Sequence, residues 1–431
     1  MNNRPSVFLF ICLCSFQIAF CQFTLDGEFR PRTEYRHGFG NIIADGADPG
    51  FAISTRTRLN AGYKFSSYEF YLSLQDVMVW GENRQILPYD QNNSFAVFQA
   101  WAKLKLAKDL SAKLGRQVIA YDDQRIFGGL DWAQQGRNHD AALVSYGKDR
   151  FMVDLGLAFN QDFSNPSGFQ SVGTAYNTSG FFSYKTMQYL YLKQQWTDFS
   201  GSLLLLNNGF QDFTEEGEDL VADGVSNLQT FGSHLNYSKG KVKATFNAFF
   251  QTGERQNRVE VGSAYLLGLD LTYRASPKIG LGIGAEMISG DKSGTADKTE
   301  AFFPLYGTNH KFNGFMDYFY VGNHANSIGL FDLHASADLK LGKKSSLLLK
   351  VLKFNGEQDL PSGESSLGTE VDVVFSQNLD GFGFKIGYSQ LFAADGMYEL
   401  KGISEGAAAD SQNWVWAMLV IKPKFIKASG Q

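Results

Sequence analysis

Polar and apolar side chains alternate residue by residue through long stretches of this chain. In Leu25–Arg36, Glu28, Arg30, Arg32, Glu34 and Arg36 share one face, and Phe29, Pro31, Thr33 and Tyr35 share the other. In Ile53–Tyr63, Ser54, Arg56, Arg58 and Asn60 oppose Ile53, Leu59, Ala61 and Tyr63. Gly268, Asp270, Thr272 and Arg274 oppose Leu267, Leu269, Leu271 and Tyr273, and Glu370 and Asp372 oppose Val371, Val373 and Phe375. A period of two is the signature of β-strands with two unlike environments. The apolar face ends in aromatics and the other face is charged, as in a strand that faces lipid on one side and water on the other.

The breaks between strands carry a second signal. The pattern predicts 18 strands, an even number, among them 110–118, 140–147, 199–208, 227–238 and 413–425. Every other connection is short: Phe65–Ser67, Ala107–Asp109, Gly147–Asp149, Thr197–Asp198, Lys239–Gly240, Ser276–Pro277, Gly342–Lys344 and Asn378–Asp380. The intervening ones are longer, up to Asp291–Ala325. A soluble sandwich has no reason to keep its long loops at one end, whereas an outer-membrane barrel has short periplasmic turns and long external loops. The expectation is an all-β fold, one transmembrane antiparallel barrel.

Composition agrees. The chain has 45 Gly, 9 Pro and 15% aromatic residues, which suits strands joined by tight turns. No mature segment has the ~18 consecutive apolar residues of a membrane helix, which leaves a closed barrel as the way to cross a bilayer. The formal net charge of −5 gives no case for nucleic acid as a partner. Arg4 and the apolar run Val7–Phe20 read as a secretory signal, residues 1–21, with cleavage expected before Gln22. Acylation at Cys21 is the alternative; Phe20 before it is unlike the small residue that lipidation favours. All 3 cysteines (Cys12, Cys14, Cys21) fall in that leader, which excludes a disulfide framework or a cysteine nucleophile in the mature chain. Residues 22–431 then form one domain, the barrel.

One segment concentrates chemistry. "GRQVIAYDDQRIFGGLDWAQQGRNHD", Gly115–Asp140, holds Arg116, Arg125 and Arg137 among carboxylates and glycines. It starts on the fifth strand and runs into an external loop. With Gly115, Arg116, Gln117, Arg125, Trp132, Arg137 and Asp140 it resembles the alginate-export porin family. A second stretch, "FFPLYGTNHKFNGFMDYF" (Phe302–Phe319), is similar to that family's segment through His310, Gly314 and Asp317. The resemblance implies an 18-stranded outer-membrane barrel with an arginine-rich lumen for an acidic polysaccharide. The pore-lining set expected is Arg30, Arg32, Arg36, Arg56, Arg58, Arg116, Arg125 and Arg137. A guanidinium stays charged at any pH and offers a planar fork to carboxylates, so several together select anions. The competing reading is that these arginines pair with Glu28, Glu34, Asp270, Glu370 and Asp372 merely to fill the interior.

Alternation places Arg116 with Ala112 and Leu114 on the lipid face, where a charge is costly away from the interface. A bulge at Gly115 that turns Arg116 inward is the expectation; a rim position is the other. His310 and Asp317 are a weak metal pair and are expected to hold their loop by hydrogen bonds. The acidic run Glu215–Asp223 is expected to be a solvated external loop, calcium being the other reading. No cofactor is expected. No segment shows a nucleophile motif, so an enzyme barrel or an adhesin stands behind a channel. Partners expected are outer-membrane lipid, an anionic solute or polysaccharide, and the barrel-assembly machinery. The tail after Phe425 departs from the usual terminal aromatic of that last assembly signal.

Overall fold

The computed structural model describes residues 22–426 apart from 84, 87–93, 161–183, 218, 293 and 325–326. The expected leader and the end of the tail lie outside the described residues. The first strands are β1 Gln22–His37, β2 Gly50–Lys64, β3 Tyr68–Val79, β4 Ala96–Ala107 and β5 Leu110–Gln117. Then come β6 His139–Lys148, β7 Phe151–Phe159, β8 Thr186–Gln195, β9 Phe199–Glu216 and β10 Asp219–Lys239. β11 Val242–Arg255, β12 Val259–Ser276, β13 Ile279–Ile288, β15 Leu330–Lys340 and β16 Ser345–Asn355 continue the wall. β17 Ser366–Asn378, β18 Phe382–Ala393 and β19 Gln412–Ile421 complete it. Two short pieces, β14 Lys298–Thr299 and β20 Lys424–Ile426, are additions to its rim.

Each wall strand pairs antiparallel with the next, and β19 closes on β1 with Arg32 opposite Met418 and Arg36 opposite Trp414. The result is a closed 18-strand antiparallel barrel, which removes every unpaired edge from the bilayer. Outward positions carry exposed apolar side chains, with aromatics at both ends. Phe23, Tyr68, Tyr146, Trp196, Tyr237 and Tyr273 ring the short-turn end, and Tyr35, Phe51, Phe95, Phe159 and Phe392 ring the long-loop end.

Two spans differ from the sequence expectation. The segment Glu215–Asp223 is not a loose loop but the tip of a β9–β10 hairpin, paired from Tyr237↔Phe199 up to Asp219↔Glu216. At roughly 3.3 Å per residue the 18 residues of β9 reach about 60 Å, more than twice the ~25 Å apolar band. Above that band no lipid imposes alternation, and Phe210, Gln211 and Asp212 are all buried in succession. Asp212 there accepts hydrogen bonds from the backbone of Asn257 at 2.7 Å and from Ser226 at 2.8 Å. The last strand is shorter than expected: β19 stops at Ile421, and β20 follows Pro423, whose missing N–H interrupts the ladder.

Candidate functional site: the arginine wall and the loop that crosses the lumen

The lumenal face of β1 and β2 is the start of the site. Arg30 stands directly opposite Arg56, and Arg58 opposite Glu28. Such stacking of like charge would repel, but each guanidinium is engaged. Arg56, fully buried, binds Glu28 through Nε at 2.7 Å and through a second, shorter contact, and reaches Asp131 Oδ1 at 2.8 Å. Arg32 binds Glu34 at 3.0 Å, and Arg36 shares that carboxylate at 2.9 Å while lying over the Phe39 ring.

The remaining donors go to one loop. Residues 118–138 enter the lumen after β5 instead of standing above it. Arg30 donates to the Asp131 carbonyl (2.7 Å) and to Gln134 Oε1 (3.0 Å), and Arg32 to the Trp132 carbonyl (2.8 Å). Arg56 reaches the Gln134 carbonyl (3.3 Å), and Gln75 the Gln135 carbonyl (3.0 Å). Arg58 packs 3.7 Å over Phe98 and donates to Gln75 at 2.7 Å. Burial alone would raise the Asp131 carboxyl, but the charges of Arg56 and Arg30 outweigh it and hold the group below its usual range.

The other end of the loop is fixed to the far wall. Asp122 accepts from Tyr191 (2.8 Å), Lys193 (2.9 Å) and Ser202 (2.6 Å) on β8 and β9. Asp123 accepts from Asn247 (2.6 Å) on β11. Arg125, buried, forks onto Glu286 of β13 at 2.8 and 2.6 Å and reaches Asn313 at 3.1 Å. In a ring of eighteen strands β2 and β11 are opposite each other, so the loop is a strut across the lumen, basic wall at one foot and acid-accepting wall at the other.

The long loop 289–329 interlocks with the strut. Phe127 and Tyr306 form a parallel bridge, Gly128 N donates to the Tyr306 carbonyl at 2.9 Å, and Thr308 N to the Gln124 carbonyl at 3.0 Å. Arg137 donates to the Gly307 carbonyl at 3.3 Å with its guanidinium 5.8 Å from the Tyr306 ring. Trp132 lies flat on His310, centroids 4.2 Å apart, with Arg32 on it at 4.5 Å and Trp416 edge-on at 4.8 Å. His310 meets Asp317 at 3.1 Å. Gly314 has φ +87°, and a Cβ there would press on the Glu370 carboxylate, which accepts Met316 N at 3.0 Å. Among the described residues no group of three His, Cys, Asp or Glu side chains is placed to hold a metal.

The Gly115 bulge is corrected. The β4–β5 and β5–β6 registers run unbroken through Gly115, opposite Trp101 and Ala141. Arg116 therefore keeps its outward position at the external end of β5 and forks onto Asp140 on the neighbouring strand at 2.8 and 2.9 Å, both side chains well exposed. The partnership is what makes an outward arginine tolerable at the rim. The true shift is nearby, in β3–β4, where Ser73 faces Gln99 and Leu74 faces Val97, and it turns Phe98 into the lumen. Gly115 is nonetheless special: its φ is +115°, and a Cβ would collide with the Ala100 carbonyl. Gln117, fully buried, donates to the Ala141 carbonyl at 2.9 Å.

Sequence reasoning passed over the lysines. Lys103 and Lys105 on β4 and Lys113 on β5 share the lumenal face with Trp101, and Lys103 stands directly opposite Lys113. The signal was present in the alternation of "WAKLKLAKDLSAKLGRQ", hidden by the louder arginines.

A closed barrel with a loop folded into a charged lumen is an outer-membrane porin, and solved structures of that class share the fold. The chain resembles OccAB4 of Acinetobacter baumannii (TM-score 0.64, 13% identity, 94% of this chain and 99% of that one). It resembles OccK5 (OpdH) of Pseudomonas aeruginosa equally broadly (0.59, 11%, 94% and 99%) and OprD of the same organism (0.60, 11%, 94% and 96%). No curated protein matches it significantly. The chain belongs to the alginate-export family, which it matches over residues 22–395, and its place is the outer membrane.

Proposed function

We propose that this porin is a non-enzymatic passive channel for anionic solutes, with an acidic polysaccharide of the alginate type as the solute class. The observation that carries the reading is the charge balance at the strut: Arg30, Arg32, Arg36, Arg56 and Arg58 against Glu28, Glu34 and Asp131. An uneven balance inside a low-dielectric wall focuses a positive potential on the water path. Entry is then favourable for anions, and no single contact is strong enough to hold them. A leader cleaved before Gln22 and assembly by the barrel-assembly machinery complete the proposal.

The test is the reversal potential of the purified channel across a KCl gradient in a planar bilayer. Anion preference that fades as salt rises is the expected result, because screening shortens from about 10 Å at 0.1 M to about 3 Å at 1 M. A second reading, a porin for other solutes with purely structural lumenal pairs, is favoured by the pairing of Arg56 with Glu28 and of Arg125 with Glu286. A reversal potential at zero or of cation sign at low salt would support that second reading and overturn the first.

A further inference from the structure

At the far foot of the strut two carboxylates stand side by side. Glu286 on β13 is directly opposite Asp332 on β15, and both are buried. Like charges directly opposite destabilise a sheet, and a buried charge needs a partner. Glu286 takes Arg125 of the strut, and Asp332 takes His334, two residues on along the same face. The His334 ring lies between Asp332 Oδ1, 3.2 Å from Nδ1, and Asp270 Oδ1 of β12, 2.8 Å from Nε2. It reaches β12 because Gly284 of β13 stands between them in register, where a Cβ would collide with the ring. A neutral imidazole has one donor and one acceptor nitrogen, whereas a carboxylate only accepts. With a carboxylate oxygen at each nitrogen, the ring carries both protons and a positive charge. Of the other charged groups near it, Lys350 of β16 donates to the Phe312 carbonyl at 3.0 Å, and Lys311 of the 289–329 loop to the Asp123 carbonyl at 2.8 Å. Lys243 of β11 is opposite Thr272, and Glu370 and Asp372 of β17 lie beyond Leu352 and Lys350.

We propose that His334 is a positioning residue of the channel: as an imidazolium it occupies Asp332, reserves Glu286 for Arg125, and so gives the far foot of the strut a single seat. The assignment goes beyond the anion-channel reading and is independent of which ion the lumen prefers. Two cations serve two facing carboxylates, and Asn313 ties the pair, donating to Glu286 at 2.8 Å with Asp332 Oδ2 at 3.5 Å. Asp270, its side chain 48% exposed, opens the array to lumenal water, which takes the ring proton as pH rises. Asp332 is then left without a cation in contact. One guanidinium has two acceptors side by side, on residues whose Cα atoms are about 5 Å apart across the ladder, and the foot moves between them. Because the strut spans the lumen, a foot with two seats gives the water path two widths and the channel two conductance levels.

The experiment is single-channel recording of the purified protein at pH 7 and pH 10 in 1 M KCl, where screening over about 3 Å mutes long-range charge. Expected for the wild-type channel is one level at pH 7. At pH 10 a second level is expected for about half of the record, since two acceptors of equal rank are filled about equally. His334→Gln is expected to show both levels at either pH. Adding Asp332→Asn to it removes the second seat and is expected to restore one level at either pH, a rescue that a merely structural histidine would not allow. A wild-type channel with one level at pH 10 overturns the proposal, and that measurement needs no variant to fold. So does a folded His334→Gln channel that is quiet at pH 7 or keeps the pH step, and so does a folded double variant that still switches. Conductance levels are read without reference to the sign of the reversal potential, so this test and that of anion preference are separate.

Discussion

Removing the Arg56 guanidinium is the sharpest test of the strut. Arg56 is fully buried and binds Glu28, Asp131 and the Gln134 carbonyl at once, so Arg56→Ala strips the strut of two anchors and leaves Glu28 without its main partner. Breaking a buried pair by deleting one member costs about 3–5 kcal/mol. Lys422 remains 3.1 Å from Glu28 and keeps part of the compensation, so about 3 kcal/mol is the working figure. The Glu28 part of that cost falls on the wall; the strut itself loses its charge-assisted bond at Asp131, about 1.5–3 kcal/mol, so at 1.4 kcal/mol per factor of ten the equilibrium between seated and released strut moves by about ten- to a hundredfold. The readout is single-channel conductance and open-channel noise at 0.1 M and 1 M KCl, with heat-modifiable gel mobility confirming the fold. A larger, noisier conductance that persists at 1 M salt is expected, because it reflects width and not charge. Arg56→Lys keeps the charge without the planar fork and is expected to share the noise. A folded Arg56→Ala channel with wild-type conductance and noise would refute the strut.

Four further outcomes follow from the same geometry. Gly115→Ala is expected to lower the yield of heat-modifiable barrel, because its φ of +115° and the nearby Ala100 carbonyl leave no room for a Cβ; equal yield contradicts this. Arg125→Gln or Glu286→Gln breaks a buried fork and is expected to cost about 3 kcal/mol or more and to open the 289–329 loop to protease, while unchanged cleavage refutes the interlock. Arg116→Ala removes only an exposed pair worth about 1 kcal/mol or less, so conductance and selectivity are expected to stay put, and any change in selectivity would place Arg116 in the water path. Asp131 has a lowered pKa, so its clamp is complete above the ordinary carboxylate value of about 3.9 and weakens only as pH falls below it: equal noise at pH 7 and 5 and more at pH 3 is expected, and a rise already at pH 5 would contradict it.

What the sequence shows of this fold is what lipid imposes on it. Alternation and loop asymmetry locate every short turn to within a residue or two, because each membrane strand has a fixed face for lipid and a fixed face for water; some strand limits are looser, as where the last strand ends at Ile421 and not at 425. Where that constraint ends, legibility ends: the β9–β10 hairpin continues past 208 and starts before 227, in a region where Asn208–Asp212 are buried in succession and the tip beyond Phe213 is exposed. That Arg30, Arg32, Arg56 and Arg58 point to the water side was readable from alternation. The destination of residues 118–138 was not, since Arg30 and Asp131 are separated by 101 positions and no local pattern encodes that contact. Arg116 is instructive in the other direction. Plain alternation placed it outward correctly, and the inward bulge followed from pricing an unpaired charge when Asp140 was on the adjacent strand to pair with it.

The clamp and the filter do not exclude each other. An arginine that binds a carboxylate loses its charge to the pair, whereas one that binds a carbonyl satisfies its N–H groups and stays a full cation. Arg30 holds the strut mainly in the second way, on the Asp131 and Ala133 carbonyls, while Arg32 and Arg56 do both, binding the Trp132 and Gln134 carbonyls as well as Glu34 and Glu28. Hydrogen-bond capacity is used up and positive charge is left over. Five guanidinium groups against the carboxylates of Glu28, Glu34 and Asp131 leave the balance positive, and Arg36, 44% exposed, is the most accessible cation of the set. A loop seated on backbone carbonyls thus fixes the width of the lumen and keeps its sign. The proposal of anion selectivity therefore requires buried, engaged arginines no less than exposed ones, and burial of Arg56 is not by itself an argument for an uncharged pore.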